Sequence, residues 1–130
     1  MNNSLTLIDT DVAINYIKKG LVSGVSSQTI YGSNISRITY IELVFGYYKT
    51  AKRKELDKIT EFISDLSIDI IELDDEISHQ FCKLKIDLQK KGEVIPDFDL
   101  IIASTAIVNN FKLYTLNLKH FSRINQLKLV

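Results

Sequence analysis

Leu5-Thr6-Leu7-Ile8-Asp9-Thr10-Asp11-Val12-Ala13 is the stretch on which the fold turns. A mostly apolar, β-compatible run stops on a carboxylate. A second carboxylate follows two positions later, and a helical pattern then begins with Val12, Ala13, Tyr16 and Ile17. A strand that ends on Asp and turns directly into a helix is how open α/β sheets build sites, because ligands there lie beyond the carboxyl ends of the strands.

Working outward, the same alternation recurs. A helix over 11–19 is expected to end at Gly20, a residue suited to a C-cap. Residues 20–34, with Gly20, Gly24, Gly32 and Ser23, Ser26, Ser27 and Ser33, read as a loop with a short irregular helix, an ordinary connection or a substrate-side flap. Asn34-Ile35-Ser36 is a short strand. Thr39 then opens a helix whose apolar face is Ile41, Val44 or Phe45, and Tyr48. A further helix runs from Lys54 to Leu66 with Leu56, Ile59, Ile63 and Leu66 on one side, and Ile68 to Leu73 is a strand. Asp74 or Asp75 caps the clearest amphipathic helix, striped by Ile77, Phe81, Leu84 and Leu88 up to Gly92.

Residues 98–109 are apolar nearly all round and should be buried. Lys112 to Thr115 is a strand that leaves into a loop through Leu116 and Asn117. His120-Phe121 is a turn, and Leu127 to Val130 is a last edge strand. The expected fold is α/β: one three-layer α/β/α domain over 1–130, with a mostly parallel sheet of four to five strands.

Composition narrows the function. With 130 residues, 45% hydrophobic and 25% charged, the chain has the profile of a soluble globular domain. Lys+Arg and Asp+Glu are both 16, so no global positive field attracts nucleic acid and any such contact must be local. Lys49, Lys52, Arg53, Lys54 and Lys58 form one basic cluster and Lys83, Lys85, Lys90 and Lys91 another. They read first as solvated helix faces and second as phosphate contacts. Tyr16, Phe45, Tyr47 and Tyr48 are divided between core packing and a partner groove. The one cysteine, Cys82, is expected to pack inside its helix and excludes an internal disulfide. No apolar run spans a membrane and no signal pattern opens the chain, so the cytoplasm is the expected compartment.

The acids decide the chemistry. Each has an ordinary structural reading: Asp9 ends a strand, Asp11 caps the first helix, and Thr39 with Glu42 has capping-box spacing. Asp97 caps the buried helix, Asp99 favours its dipole, and Asn117 is a turn residue. In a parallel sheet, however, strand ends and helix starts share one edge, so Asp9, Glu42, Asp99 and Asn117 would gather there. Two carboxylates repel by about 4 kcal/mol at roughly 4 Å and an effective dielectric near 20. Such a cluster needs raised pKa values or a cation. Oxygen donors suit Mg²⁺ or Mn²⁺. Zinc is disfavoured because His79, His120 and Cys82 lack ligand-pair spacing. The chemistry such a site performs is metal-assisted phosphodiester hydrolysis.

These residues resemble the PIN-domain nucleases, and within them the VapC-type ribonuclease toxins of toxin–antitoxin pairs. The likeness runs through four segments in order: Leu7 to Val12, Ile38 to Gly46, Ile95 to Ala106, and Leu113 to Asn117 followed by His120-Phe121. The resemblance implies Asp9, Glu42 and Asp99 as metal-binding acids, with Asn117 as the fourth polar position, where Asp is common. Thr115 and Asp97 match further polar positions. Asp11 departs from the usual Asn or Ser and adds a charge. The resemblance also implies Mg²⁺ or Mn²⁺ dependence, an RNA substrate, homodimers and a cognate antitoxin protein. Two other readings stand beside it. Asp9-Thr10-Asp11 also fits the start of an aspartyl-phosphate-forming phosphatase, although that chemistry needs a lysine beside the phosphate and a Thr or Val where Ala13 stands. The third reading is a PIN-like module that binds RNA or protein without cleaving.

Overall fold

A computed structural model of the chain describes residues 3–19 and 26–130. Gly20, where the first helix is expected to end, and much of the glycine-serine stretch lie outside the described residues. Five short strands form one sheet: β1 (Thr6–Ile8), β2 (Asn34–Ser36), β3 (Asp69–Ile71), β4 (Lys112–Tyr114) and β5 (Lys128–Leu129). Their order is β3-β2-β1-β4-β5, and every pairing is parallel. The helices are α1 (Thr10–Lys19), α2 (Ser27–Ile30), α3 (Arg37–Thr50), α4 (Arg53–Asp65), α5 (Asp75–Lys90), α6 (Asp97–Val108) and α7 (Leu118–Phe121). None of them is long and apolar enough to cross a membrane.

Both faces of the sheet are covered, as the expected three layers require. In β1, Leu7 joins a core with Leu84 and Leu88 of α5, Leu100, Ile102, Ala103 and Ala106 of α6, and Phe121. Its neighbour Ile8 points the other way, into a core with Val12 and Ala13 of α1, Leu43 of α3, and Ile59 and Phe62 of α4. Both side chains are fully buried, which is why β1 reads as a continuous apolar run rather than an alternating one. The chain builds away from β1 toward β2 and β3 and then returns to its other side with β4. The strand order therefore reverses between β1 and β4, the kind of crevice in which open α/β sheets bind ligands.

Four local expectations are corrected. Helix α3 opens at Arg37, not Thr39, because Ser36 is its N-cap: Ser36 Oγ accepts from Thr39 N at 3.0 Å. This excludes the Thr39–Glu42 capping box. The apolar face foreseen for α3 points outward: Ile41, Phe45 and Tyr48 are 44%, 64% and 71% exposed. The buried side carries Ile38, Thr39 and Leu43 instead. This helix is apolar nearly all round, so periodicity gives it no preferred side. Helix α6 begins at Asp97 behind Pro96, with no side-chain cap, so Asp97 does not cap it. Cys82 is exposed rather than packed inside, because its position on α5 falls away from the stripe of Ile77, Leu84 and Leu88 that the sheet buries.

The remaining elements follow their sequence signals. Asp74 Oδ1 caps α5 through Ile77 N at 2.9 Å, and Gly92 takes the left-handed φ of +70° just past its end. Ser36 is almost fully buried and holds the start of the helix that carries Glu42. Replacing Ser36 by Ala is expected to lower stability by about 1–2 kcal/mol, read from the urea midpoint at an unchanged m-value.

Candidate active site

Asp9 sits where β1 stops. Its own N–H still pairs with Tyr114 O of β4 at 2.9 Å, and its carbonyl accepts from Ala13 N at 3.1 Å, the first bond of α1. Asp9, rather than Asp11, therefore occupies the cap position of that helix. Its side chain is 5% exposed and both oxygens are engaged. Oδ1 accepts from Thr10 N at 2.8 Å and Oδ2 accepts from the Thr115 hydroxyl at 2.8 Å. The second bond joins residues 106 apart in sequence, across the point where the strand order reverses.

Around Asp9 the other groups arrive by separate routes. Asp11 lies one residue into α1 and turns toward the β4–α7 connection, where its carboxylate accepts from Leu116 N at 3.1 and 3.3 Å. Its Oδ2 also lies 3.4 Å from Thr115 Oγ1. Asn117 N donates to Thr115 Oγ1 at 2.9 Å. Glu42 is reached through Thr10, whose hydroxyl donates to Glu42 Oε1 at 2.7 Å and meets Thr39 Oγ1 at 2.9 Å. Asp99, at the third position of α6, lies 3.6 Å from His120 Nδ1, and that nitrogen is 2.9 Å from Asn117 Nδ2.

Electrostatics tie these acids together. Burial is the main force pushing the Asp9 carboxyl up to about 7 from 3.8, helped by the charge of Asp11 and then of Asp99; the Thr115 and Thr10 hydrogen bonds oppose it. Asp99 is also raised, first by burial and then by Asp11, while His120 pulls it down. The charged neighbours that act on Asp9 among the described residues are the acids Asp11 and Asp99, not the lysine that an aspartyl phosphate needs beside it.

The sequence-predicted residues thus divide. Asp9, Asp11 and Thr115 are in direct hydrogen-bonded contact, Asp99 acts on Asp9 through its charge, and Asn117 joins through Thr115 and His120. Glu42 is connected through Thr10. Asp97 is drawn off to α5, where Lys85 Nζ lies 3.0 Å from its Oδ1. Two participants were not among the expected site residues. Thr10 gives no signal of its own, since its partners Thr39 and Glu42 are about thirty residues away. His120, named in a turn at the end of the last matching segment and set aside as a zinc ligand, is the third residue of α7 and stands three residues after Asn117.

Among the described residues no three His, Cys, Asp or Glu side chains stand close enough to close on a metal ion as they are. The donor chemistry nevertheless fits a hard divalent cation. The carboxyls and hydroxyls supply oxygen donors, and a carboxyl raised first by burial and then by neighbouring acids is one whose ionised form such an ion favours.

The PIN domain family matches residues 6–127. The chain belongs to the PIN-domain family. Over 126 residues it is 36% identical to Ribonuclease VapC1 of Methanocaldococcus jannaschii, covering 97% of this chain and 85% of that one. It is 33% identical to Ribonuclease VapC2 of Rickettsia felis, covering 95% and 94%. Among solved structures, VapBC2 from Rickettsia felis bound to a DNA fragment from the promoter superposes with a TM-score of 0.85 at 28% identity, covering 96% of each chain. DNA-bound VapBC from Salmonella typhimurium gives 0.85 at 26% identity, covering 100% and 98%. This PIN domain therefore shares its fold and nearly its whole length with chains of toxin–antitoxin complexes.

The raised carboxyl of Asp9 has a stability consequence. A group whose folded pKa lies above its unfolded value stabilises the protein below the unfolded value, and that contribution is lost as pH rises through the folded one. Metal-free protein is therefore expected to lose stability between about pH 4 and pH 7, by on the order of 3–4 kcal/mol from this group. Asp9→Asn, which keeps the shape without the charge, should flatten most of that slope in urea titrations across the same window.

Proposed function

We propose that this chain is a Mg²⁺- or Mn²⁺-dependent endoribonuclease that serves as the toxin of a toxin–antitoxin pair. The observation that carries the reading is the buried Asp9 carboxylate at the β1–β4 reversal, with Asp11 and Asp99 raising its pKa. Membership of the PIN family and the named ribonuclease relatives support RNA as the substrate.

In this reading Asp9, Glu42 and Asp99 hold the cation, with Asn117 and water completing its surroundings. A bound divalent cation supplies charge neutralisation at the phosphoryl oxygens and a more acidic water. The protein's share is orientation. Thr10 N–H and the Thr115 hydroxyl fix the two oxygens of Asp9 before any substrate arrives. The Thr10 hydroxyl aims Glu42 toward the same edge. Asp11 anchors the loop that presents Thr115 and Asn117 through its contact with Leu116 N.

A neighbouring cleft supports the antitoxin half of this reading. Ile14 and Ile17 of α1, Leu43 and Tyr47 of α3, and Ile59 of α4 line a cavity of about 140 Å³ that also borders two acids, Glu42 and Glu55, and one base, Lys18. An apolar partner segment carrying a cationic side chain fits that lining, and seated there it would contact Glu42 as well. Placing a charge in the apolar lining, as Ile17→Glu, is expected to weaken neutralisation by the antitoxin at least tenfold while cleavage by free protein continues.

The direct test is cleavage of RNA by purified protein. Mg²⁺ or Mn²⁺ should support it and EDTA should stop it. Asp9→Asn should reduce the rate on the order of a hundredfold or more while the circular dichroism spectrum stays that of the wild type. EDTA-resistant cleavage, or full activity in Asp9→Asn, would overturn the assignment.

A further inference from the structure

We propose that Thr39 is a positioning residue of this site: its buried hydroxyl donates to the hydroxyl of Thr10, which commits the single proton of Thr10 to Glu42 and holds that carboxylate against the start of α1, beside Asp9. The inference rests on the nuclease reading above.

Three observations carry it. The first is a count of protons. A threonine hydroxyl has one proton to give and two lone pairs with which to receive. Thr10 Oγ1 lies 2.7 Å from Glu42 Oε1 and 2.9 Å from Thr39 Oγ1. A carboxylate accepts, so the Thr10 proton goes to Glu42, and the contact with Thr39 is made with the Thr39 proton. Thr39 then has none left for Ser36, whose hydroxyl donates to Thr39 Oγ1 at 3.5 Å. The three hydroxyls thus point one way, from the cap of α3 through Thr39 and Thr10 to the Glu42 carboxylate. Hydrogen bonds aligned in a chain reinforce one another.

The second observation is burial. Thr39 is fully buried and Ser36 almost so, so bulk water does not stand ready to replace a missing donor. Thr39 also lies three residues before Glu42 on α3, and residues three apart share one side of a helix. The Thr10 hydroxyl comes from α1 and meets both of them. The third observation is what Thr10 does with its other donor: its N–H bonds Asp9 Oδ1 at 2.8 Å. One residue therefore gives a proton to each of two acids that reach the site from different elements, the end of β1 and the second turn of α3. Without the donor from Thr39, the Thr10 oxygen is left as a buried acceptor with no partner, and the rotamer that aims its proton at Glu42 loses support.

The test separates the hydroxyl of Thr39 from its methyl group. Thr39→Val keeps the shape and removes the hydroxyl, whereas Thr39→Ser keeps the hydroxyl and removes the methyl. Mn²⁺ binding to the RNA-free protein is measured by calorimetry, with the urea midpoint of metal-free protein and kcat and KM for RNA cleavage beside it. Thr39→Val is expected to weaken Mn²⁺ binding and lower kcat about 3–10-fold, the worth of one neutral hydrogen bond, with KM for RNA little changed. Thr39→Ser should recover most of both although it unfolds at lower urea, because a buried methyl group has gone. Thr10→Val should weaken Mn²⁺ binding by about tenfold, and adding Thr39→Val to it should cost no further affinity, because Thr39 acts through Thr10. If the valine variant does not fold, Thr39→Ala takes its place beside Thr39→Ser. A purely structural Thr39 would make Mn²⁺ affinity follow the urea midpoint instead. Wild-type Mn²⁺ affinity in Thr39→Val, a serine variant as impaired as the valine one, or additive losses in the double variant would overturn the proposal. A wild type that neither binds Mn²⁺ nor cuts RNA would bring down the nuclease reading and this inference with it. A wild type that does both, with indistinguishable Val and Ser variants, removes this inference alone.

Discussion

The hydrogen bond from the Thr115 hydroxyl to Asp9 Oδ2 is the contact on which the rest of the arrangement depends. It joins the two strands at which the sheet reverses, and it fixes the carboxylate on which Asp11 and Asp99 both act. Removing an acid from water is unfavourable unless the anion is well supplied with donors. Here the supply is two hydrogen bonds, and they do not outweigh burial and two neighbouring anions, so the carboxyl stays far more basic than usual. The position of this carboxyl therefore carries a local cost when it is ionised. Functional sites commonly carry such a local cost, which the surrounding packing must sustain.

The packing that sustains it is ordinary. Leu7 and Ile8 send adjacent side chains into two separate cores, one under α5 and α6 and one under α1, α3 and α4. Those cores hold β1 from both faces, and the parallel ladders on its two edges hold it laterally. The residue after Ile8 has little freedom left. Much of the placement of Asp9 therefore comes from apolar residues that take no part in the chemistry, together with a hydroxyl network of Thr10, Thr39 and Ser36 that ties α3 to α1.

The parts of this organisation that were legible in the sequence share a cause. The run Leu7-Ile8-Asp9, the stripe of Ile77, Leu84 and Leu88, and the apolar body of α6 each report a local relation between periodicity and burial. The alternation of strand and helix was enough to place Asp9, Asp99 and Asn117 on one sheet edge. What stayed hidden depends on partners distant in the chain. Glu42 looked like half of a capping box because Thr39 stood three residues before it; the structure gives Thr39 to the third position of α3 and sends Glu42 to Thr10. The face of α3 could not be read because both of its sides are apolar, so the choice fell to the packing of α1 and α4. Asp97, expected as a helix cap or a further polar position, pairs instead with Lys85. His120 carried no periodic signal, and its meaning appears only beside Asp99 and Asn117.

The order of synthesis adds something that the finished fold does not display. Asp9 is made near the beginning and Thr115 near the end, and β4 is the strand that completes the edge of β1 on which the site stands. Contacts of such long sequence separation form late, since the intervening chain must first be closed into a loop. A chain that has not yet added β4 and the turn after it holds Asp9 and Glu42 but neither the Thr115 hydroxyl nor the Asn117 amide. The edge on which Asp9 stands is thereby left incomplete until β4 and the turn after it have docked.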